Sequence, residues 1–203
     1  MIFKLNKIII FIIFIFFNVN TYGEENNFNR IEILVNDKII TKYDIVQRLK
    51  INAILNRLEI NDNNYSQLVT SVIDDLIVEK LKNEKIEEYN ITFNEDEFSR
   101  NEERFYSSIN YQKEELESLF LLNNIDYDNL KEFIEIELKW QKVIYGLYLR
   151  ITSVTEQEIF DLISKNPNIN EEIASELIMQ KQLDIKSKKL IKDLRDEATV
   201  EYK

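Results

Sequence analysis

Adjacent acids are the residues of this chain with the most obvious capacity for chemistry. They recur as Asp74-Asp75, Glu87-Glu88, Glu95-Asp96-Glu97, Glu102-Glu103 and Glu114-Glu115. Paired carboxylates can share acid and base work at a glycosidic bond or bind a hard cation. The spacing here supports neither. Neighbours in sequence do not converge on a helix, and no D-x-D-x-D-G calcium loop is present. The solvated helix faces of an acidic chain account for the pairs. His and Cys are both 0, which excludes Ser-His and Cys-His nucleophiles and zinc sites built on those ligands. Gly23 and Gly146 are the only glycines, so neither G-x-G-x-x-G nor a Walker A loop can be written. No enzymatic activity, metal or cofactor is expected.

The aromatic residues are the other chemically distinctive set, with 12 Phe, 10 Tyr and 1 Trp. Phe105, Tyr106, Tyr111 and Trp140 stand out. Phe105 and Tyr106 are adjacent and cannot both point into one narrow core. Trp140 lies off the main apolar stripe of its segment. One reading is a packed core. The other is a surface that offers aromatics to extended apolar chains, a use that suits their large contact area and small rotamer cost. These four are the candidate client-binding residues.

The elements that would position them are mostly helical. With 203 residues, one domain is the prior. Gly 2 and Pro 1 are too few for an all-β fold, whose turns consume both. Ile31 to Ile40 reads as a hairpin turning at Asn36-Asp37. Helices are expected at 42–58, 64–89, 94–110, 113–122, 127–150, 155–164 and 169–197. Capping boxes are written as Thr41/Asp44, Asn94/Glu97, Thr155/Glu158 and Asn168/Glu171. Helix 127–150 carries two apolar stripes. Leu130, Phe133, Ile134, Leu138 and Tyr145 form one, and Ile136, Trp140, Val143 and Leu147 the other. It is therefore sandwiched in the core or offers one side to a partner. Leu183, Leu190, Ile191, Leu194 and Ala198 mark the buried side of the last helix. The four β-prone residues from Thr199 to Tyr202 are too short to stand alone and should join the hairpin. The expected fold is mainly α, a multi-helix core with a small antiparallel sheet made by the N-terminal hairpin and the C-terminal strand.

At the N-terminus, Lys4 and Lys7 precede an unbroken Ile/Phe run from Ile8 to Phe17, and Thr21-Tyr22-Gly23 supplies short residues. This is the order of a secretory signal over residues 1–23, with cleavage after Gly23; a retained anchor is the alternative. The run is too short to span the bilayer as a helix, and no membrane span is expected after processing. Loss of Lys4 and Lys7 from 26 basic residues leaves 24 against 37 acids, a net charge of −13. That excess disfavours nucleic acid, whose phosphates need clustered Lys and Arg.

Four stretches carry a resemblance. The segment 34–49 (LVNDKIITKYDIVQRL), with Val35-Asn36, Ile39-Ile40-Thr41, Asp44-Ile45 and Arg48-Leu49, looks like the opening of the mature SurA family of periplasmic chaperones. Segments 72–81 (VIDDLIVEKL) and 91–97 (ITFNEDE) are similar to that family's second helix and the start of its third. Segment 190–203 (LIKDLRDEATVEYK) resembles its C-terminal helix and strand. The resemblance covers roughly 30–164 and 173–203. Family members carry one or two parvulin prolyl-isomerase domains before the last helix. Here 154–159 (VTEQEI) looks like the approach to the first, yet the chain passes through 165–170 straight into the last helix. A domain of ~100 residues has no room there, and the His of a parvulin site is absent. The organisation expected is a signal over 1–23 and one core over 24–203, in which 165–170 replaces the inserted domain. The resemblance implies an ATP-independent periplasmic holdase for unfolded outer-membrane proteins or extended apolar peptides, without isomerase activity. A non-catalytic scaffold of the cell envelope, closed on itself or homodimeric, is the alternative.

Overall fold

The computed structural model describes residues 29–203; the expected signal over 1–23 lies outside them. Strands β1 (Ile31–Val35) and β2 (Lys38–Thr41) are followed by α1 (Lys42–Leu55), α2 (Tyr65–Glu88), α3 (Glu95–Ile109), α4 (Lys113–Leu122) and α5 (Tyr127–Tyr148). A 3₁₀ turn over Leu149–Ile151 leads to α6 (Glu156–Lys165), α7 (Glu171–Glu197) and β3 (Val200–Tyr202). The protein is mainly α with one three-stranded antiparallel sheet of order β2-β1-β3.

The ends of the described chain meet in that sheet, with Val35 opposite both Lys38 and Val200. Asn36 makes the junction. At φ 53° it takes the left-handed turn conformation that asparagine tolerates. Its N–H donates to the Thr199 carbonyl (2.8 Å), and its Oδ1 accepts from the Thr199 N–H (3.0 Å). Its Nδ2 donates to the Glu84 carboxylate of α2 at 2.9 Å. One residue thus joins the hairpin, the C-terminal strand and α2. The same device recurs elsewhere. Asn90, Asn110 and Asn124 close α2, α3 and α4 at positive φ, the work glycine usually does at helix ends.

Three apolar clusters hold the helices. The first joins Ile33, Val35 and Ile40 of the sheet to Leu49 of α1 and Val72, Leu76 and Leu81 of α2. The second joins Ile51 of α1 and Tyr106 of α3 to Leu116 and Phe120 of α4 and Leu130 and Ile134 of α5. The third joins Ile86 of α2 to Ile136, Trp140, Val143 and Ile144 of α5 and Leu183 of α7. Both stripes of α5 are therefore covered, one by the second cluster and one by the third. Tyr145 is the exception to its stripe: it is exposed and donates its hydroxyl to Gln180 at 3.1 Å.

Three of the four capping boxes form as written, at Thr41, Asn94 and Thr155. The fourth does not. Asn170, not Asn168, caps α7 by accepting from the Ile173 N–H at 2.8 Å, so the helix starts at Glu171. The first helix ends at Leu55, not Leu58, because Arg57 turns left-handed and the Leu58 N–H closes on the Ala53 carbonyl.

Candidate functional site

The structure divides the four aromatic candidates. Phe105, Tyr106 and Tyr111 gather in the second cluster, whereas Trp140 belongs to the third. Of the two readings open for these aromatics, the packed core holds for Trp140 and Tyr106, which corrects their place among the client-binding candidates. Trp140 is 3% exposed and donates its indole N–H to Ser187 Oγ at 2.9 Å. It is packed because α7 covers the second stripe of α5. Tyr106 is buried because Tyr127 and Glu102 take its hydroxyl, Glu102 at 2.7 Å. Phe105 is half-buried, edge-on to Phe133 with ring centres 6.4 Å apart. Tyr111 is half-buried, donates to the Ile54 carbonyl at 3.2 Å and lies under the Arg57 guanidinium.

Tyr106 and Tyr111 do border an open cleft between α3 and α4, about 580 Å³ in volume. Its lining is mainly polar, with Glu102, Glu103, Gln112 and Lys113 among it. Burial pushes the Tyr106 hydroxyl upward and that of Tyr127 up to about 12. Both are neutral, partnered groups at ordinary pH. They hold α3 against α5.

A different surface has the properties of a binding groove. Helices α6 and α7 form an antiparallel hairpin through residues 166–170. The α6 end is fixed at Thr155, whose N–H and hydroxyl both donate to Glu158, at 2.9 and 2.8 Å. Those bonds hold the Glu158 carboxyl below its ordinary range. Gln182 of α7 reaches across and donates to Glu158 (3.2 Å) and to the Ser153 carbonyl (3.1 Å). The other end is closed by Asn166, whose N–H and Nδ2 both donate to the Leu162 carbonyl.

Between the two helices runs an open groove of about 460 Å³. Leu162, Leu177, Ile178 and Ile185 supply its apolar surface. Glu158, Asp161, Lys165, Lys181 and Gln182 stand along it. Leu177 is 52% exposed and Ile185 59% exposed. The helix period explains why they are uncovered. Ala174, Ile178 and Leu183 are the buried residues of α7, and Leu177, Lys181 and Ile185 form the adjacent i, i+4, i+8 ridge. No residue of α6 is fully buried, so this short helix covers the ridge incompletely. Phe160 is also exposed but lies on the far side of α6, about 200° around the helix from Glu158 at ~100° per residue. Leu177 and Ile185 were readable as apolar residues beside the buried stripe of the last helix. Their exposure was not, because it depends on how little α6 covers.

Among the described residues, no helix is long and apolar enough to cross a membrane. No family model and no curated protein matches the chain. Among solved structures, the chain is similar to one of two structurally related SurA-like chaperones of the human pathogen Campylobacter jejuni, a virulence factor and a periplasmic protein. The identity is 16% and the TM-score 0.35, over 68% of this chain and 50% of that one. The chain thus spans about half the length of that structure.

Proposed function

We propose that this protein is an ATP-independent holdase of the periplasm, exported by the signal in residues 1–23. It shelters extended apolar segments of unfolded outer-membrane proteins and has no prolyl-isomerase activity. The observation that carries the reading is the uncovered apolar ridge of the α6–α7 groove. Leu177 and Ile185 are two helical turns apart, about 12 Å along the axis at 1.5 Å per residue. An extended chain places side chains i and i+4 on one face about 13 Å apart. Strands of outer-membrane barrels alternate apolar and polar side chains with a period of two residues, so residues i and i+4 of one strand can seat on Leu177 and Ile185, with Lys181 between them. The flanking Glu158, Lys181 and Gln182 can meet its backbone and polar side chains.

The sequence resemblance to the SurA family points the same way. The missing parvulin segment and the absence of His support the lack of isomerase activity, and the absence of a phosphate-binding glycine loop supports independence from ATP. A net charge of −13 without the signal would keep a client complex from associating further. The test is dilution of a urea-unfolded outer-membrane barrel protein into buffer with the purified chain in several-fold excess. Light scattering should fall in proportion to the chain added. Scattering unchanged at saturating chain overturns the proposal.

A further inference from the structure

The chain contains two N-x-[ST] triplets, Asn64-Tyr65-Ser66 and Asn90-Ile91-Thr92. In an exported protein such a triplet is an acceptor for N-linked glycan when it lies on an accessible loop. Both carry an acid two residues before the asparagine, Asp62 and Glu88. The two sites differ sharply in structure.

Asn64 is occupied. Its Nδ2 donates to the Glu59 carbonyl at 2.8 Å and its Oδ1 accepts from the Asn61 N–H at 2.9 Å. Ser66 lies in the first turn of α2, and its carbonyl accepts from the Thr70 hydroxyl. The amide that would be glycosylated is committed to the loop, and the triplet enters a helix.

Asn90 is presented. It follows α2 at φ 50°, in the linker to α3. Ile91 is half-buried against the third cluster. Phe93 is half-buried, stacks on Phe98 at 5.7 Å and lies under Lys139. The Thr92 carbonyl accepts from Lys142 Nζ at 2.8 Å. These anchors hold the linker from below. Glu88, Asn90 and Thr92 are exposed; Glu88 accepts from Lys85 at 2.6 Å, and among the described residues the Asn90 side-chain amide and the Thr92 hydroxyl have no hydrogen-bond partner. The alternation leaves the Asn90 and Thr92 side chains on the solvent side, while the Asn90 and Ile91 N–H groups close the end of α2 on the Glu87 and Ile86 carbonyls.

We infer that Asn90 is an N-glycosylation acceptor and that Asn64 is not. The donor class is a polyprenyl-diphosphate-linked oligosaccharide. The Asn90 amide nitrogen bonds to the anomeric carbon as the bond from that carbon to the diphosphate oxygen breaks. The polyprenyl diphosphate leaves with the electron pair, and the amide loses one proton to a base of the transferase. The inference rests on the export reading, which places the chain where such donors are exposed, and is independent of the groove.

The experiment incubates the purified, folded chain with a bacterial oligosaccharyltransferase and its lipid-linked donor. A short D-x-N-x-T peptide serves as the positive control, and peptide mass spectrometry reads the product. One glycan mass is expected at Asn90 and none at Asn64. Thr92→Ala should abolish the shift, and Thr92→Ser should retain it. The thermal melts of these variants should match that of the parent. Absence of glycan at Asn90 while the control peptide is modified overturns the inference, as does equal modification of Asn64. The holdase assay on unmodified chain reads the other proposal separately.

Discussion

Truncation of the groove ridge by Leu177→Ala and Ile185→Ala together should weaken client binding without harming the fold. The magnitude follows from the geometry. Full burial of a Leu or Ile side chain is worth about 1.5–3 kcal/mol. These two are 52% and 59% exposed, so a client can remove only about half of each from water, roughly 1 kcal/mol apiece. The pair then contributes about 2 kcal/mol, which at 1.4 kcal/mol per decade is a ~30-fold change in Kd. Stability should move little. The removed atoms are largely solvated, and alanine is the best helix former, which offsets what packing is lost.

The assay is fluorescence anisotropy of a labelled peptide with alternating apolar residues, read beside the thermal melt. Phe160→Ala is the control. It deletes a larger and more exposed side chain from the opposite side of α6, and should leave Kd unchanged. A folded double variant with parental affinity would refute the placement of the client. So would a Phe160→Ala variant that loses as much, since that would show diffuse hydrophobic adhesion and not a groove.

Further expectations concern the frame. Trp140→Ala should cost about 3–5 kcal/mol of stability, as large core truncations do, and the Trp140 emission of the parent should stay unshifted when peptide enters the groove. Arg48 and Glu79 form an ion pair with side chains 9% and 8% exposed. Arg48→Met alone should cost about 3–5 kcal/mol by stranding the Glu79 charge, whereas Arg48→Met with Glu79→Leu should melt close to the parent. The Tyr127 hydroxyl ionises in the folded chain only at about 12, against about 10 in an unfolded one. Its contribution to stability is complete below about pH 10 and declines as pH rises toward 12; melts across that window should fall less steeply for Tyr127→Phe. Deletion of 190–203 removes Leu194, Ala198 and Val200 from the first cluster and Leu190 and Ile191 from the third. It should abolish cooperative melting, and a truncated chain with an unchanged midpoint would contradict this.

The sequence was most legible where one residue's chemistry decided the local outcome. Thr41, Asn94 and Thr155 each carry an acid three residues on, and each caps its helix. Thr199 to Tyr202 had to find a sheet, and β1 was the strand available. The α7 cap was misplaced because Asn168 and Asn170 both precede acids, and the Pro167 turn left room for either. Burial of the aromatics was less legible. Nothing local to Tyr106 announces that Tyr127 arrives from α5 to take its hydroxyl, and nothing local to Trp140 shows α7 crossing over it with Ser187. The groove was the least legible of all. It consists of surface that a neighbouring helix fails to cover, which no periodicity records.

That incomplete cover has a mechanical logic. Helix α7 has 27 residues, about 40 Å at 1.5 Å per residue. From its midpoint onward it enters the first and third clusters, through Leu183, Leu190, Leu194 and the adjoining Ala198. The N-terminal half meets α6, which buries no residue of its own, and touches α5 through Met179 in the third cluster and through Gln180, which accepts from Tyr145. The rigid end therefore fixes the ridge in place while the free end keeps it open to solvent. A holdase without nucleotide must let its client go by thermal motion alone. Half-exposed leucine and isoleucine at about 1 kcal/mol each hold an apolar strand only when several such contacts act together. A client that begins to fold withdraws its apolar face and loses them one after another. Under the proposed holdase reading, a deep, fully enclosed pocket on the same helix would bind more tightly and would retain the client.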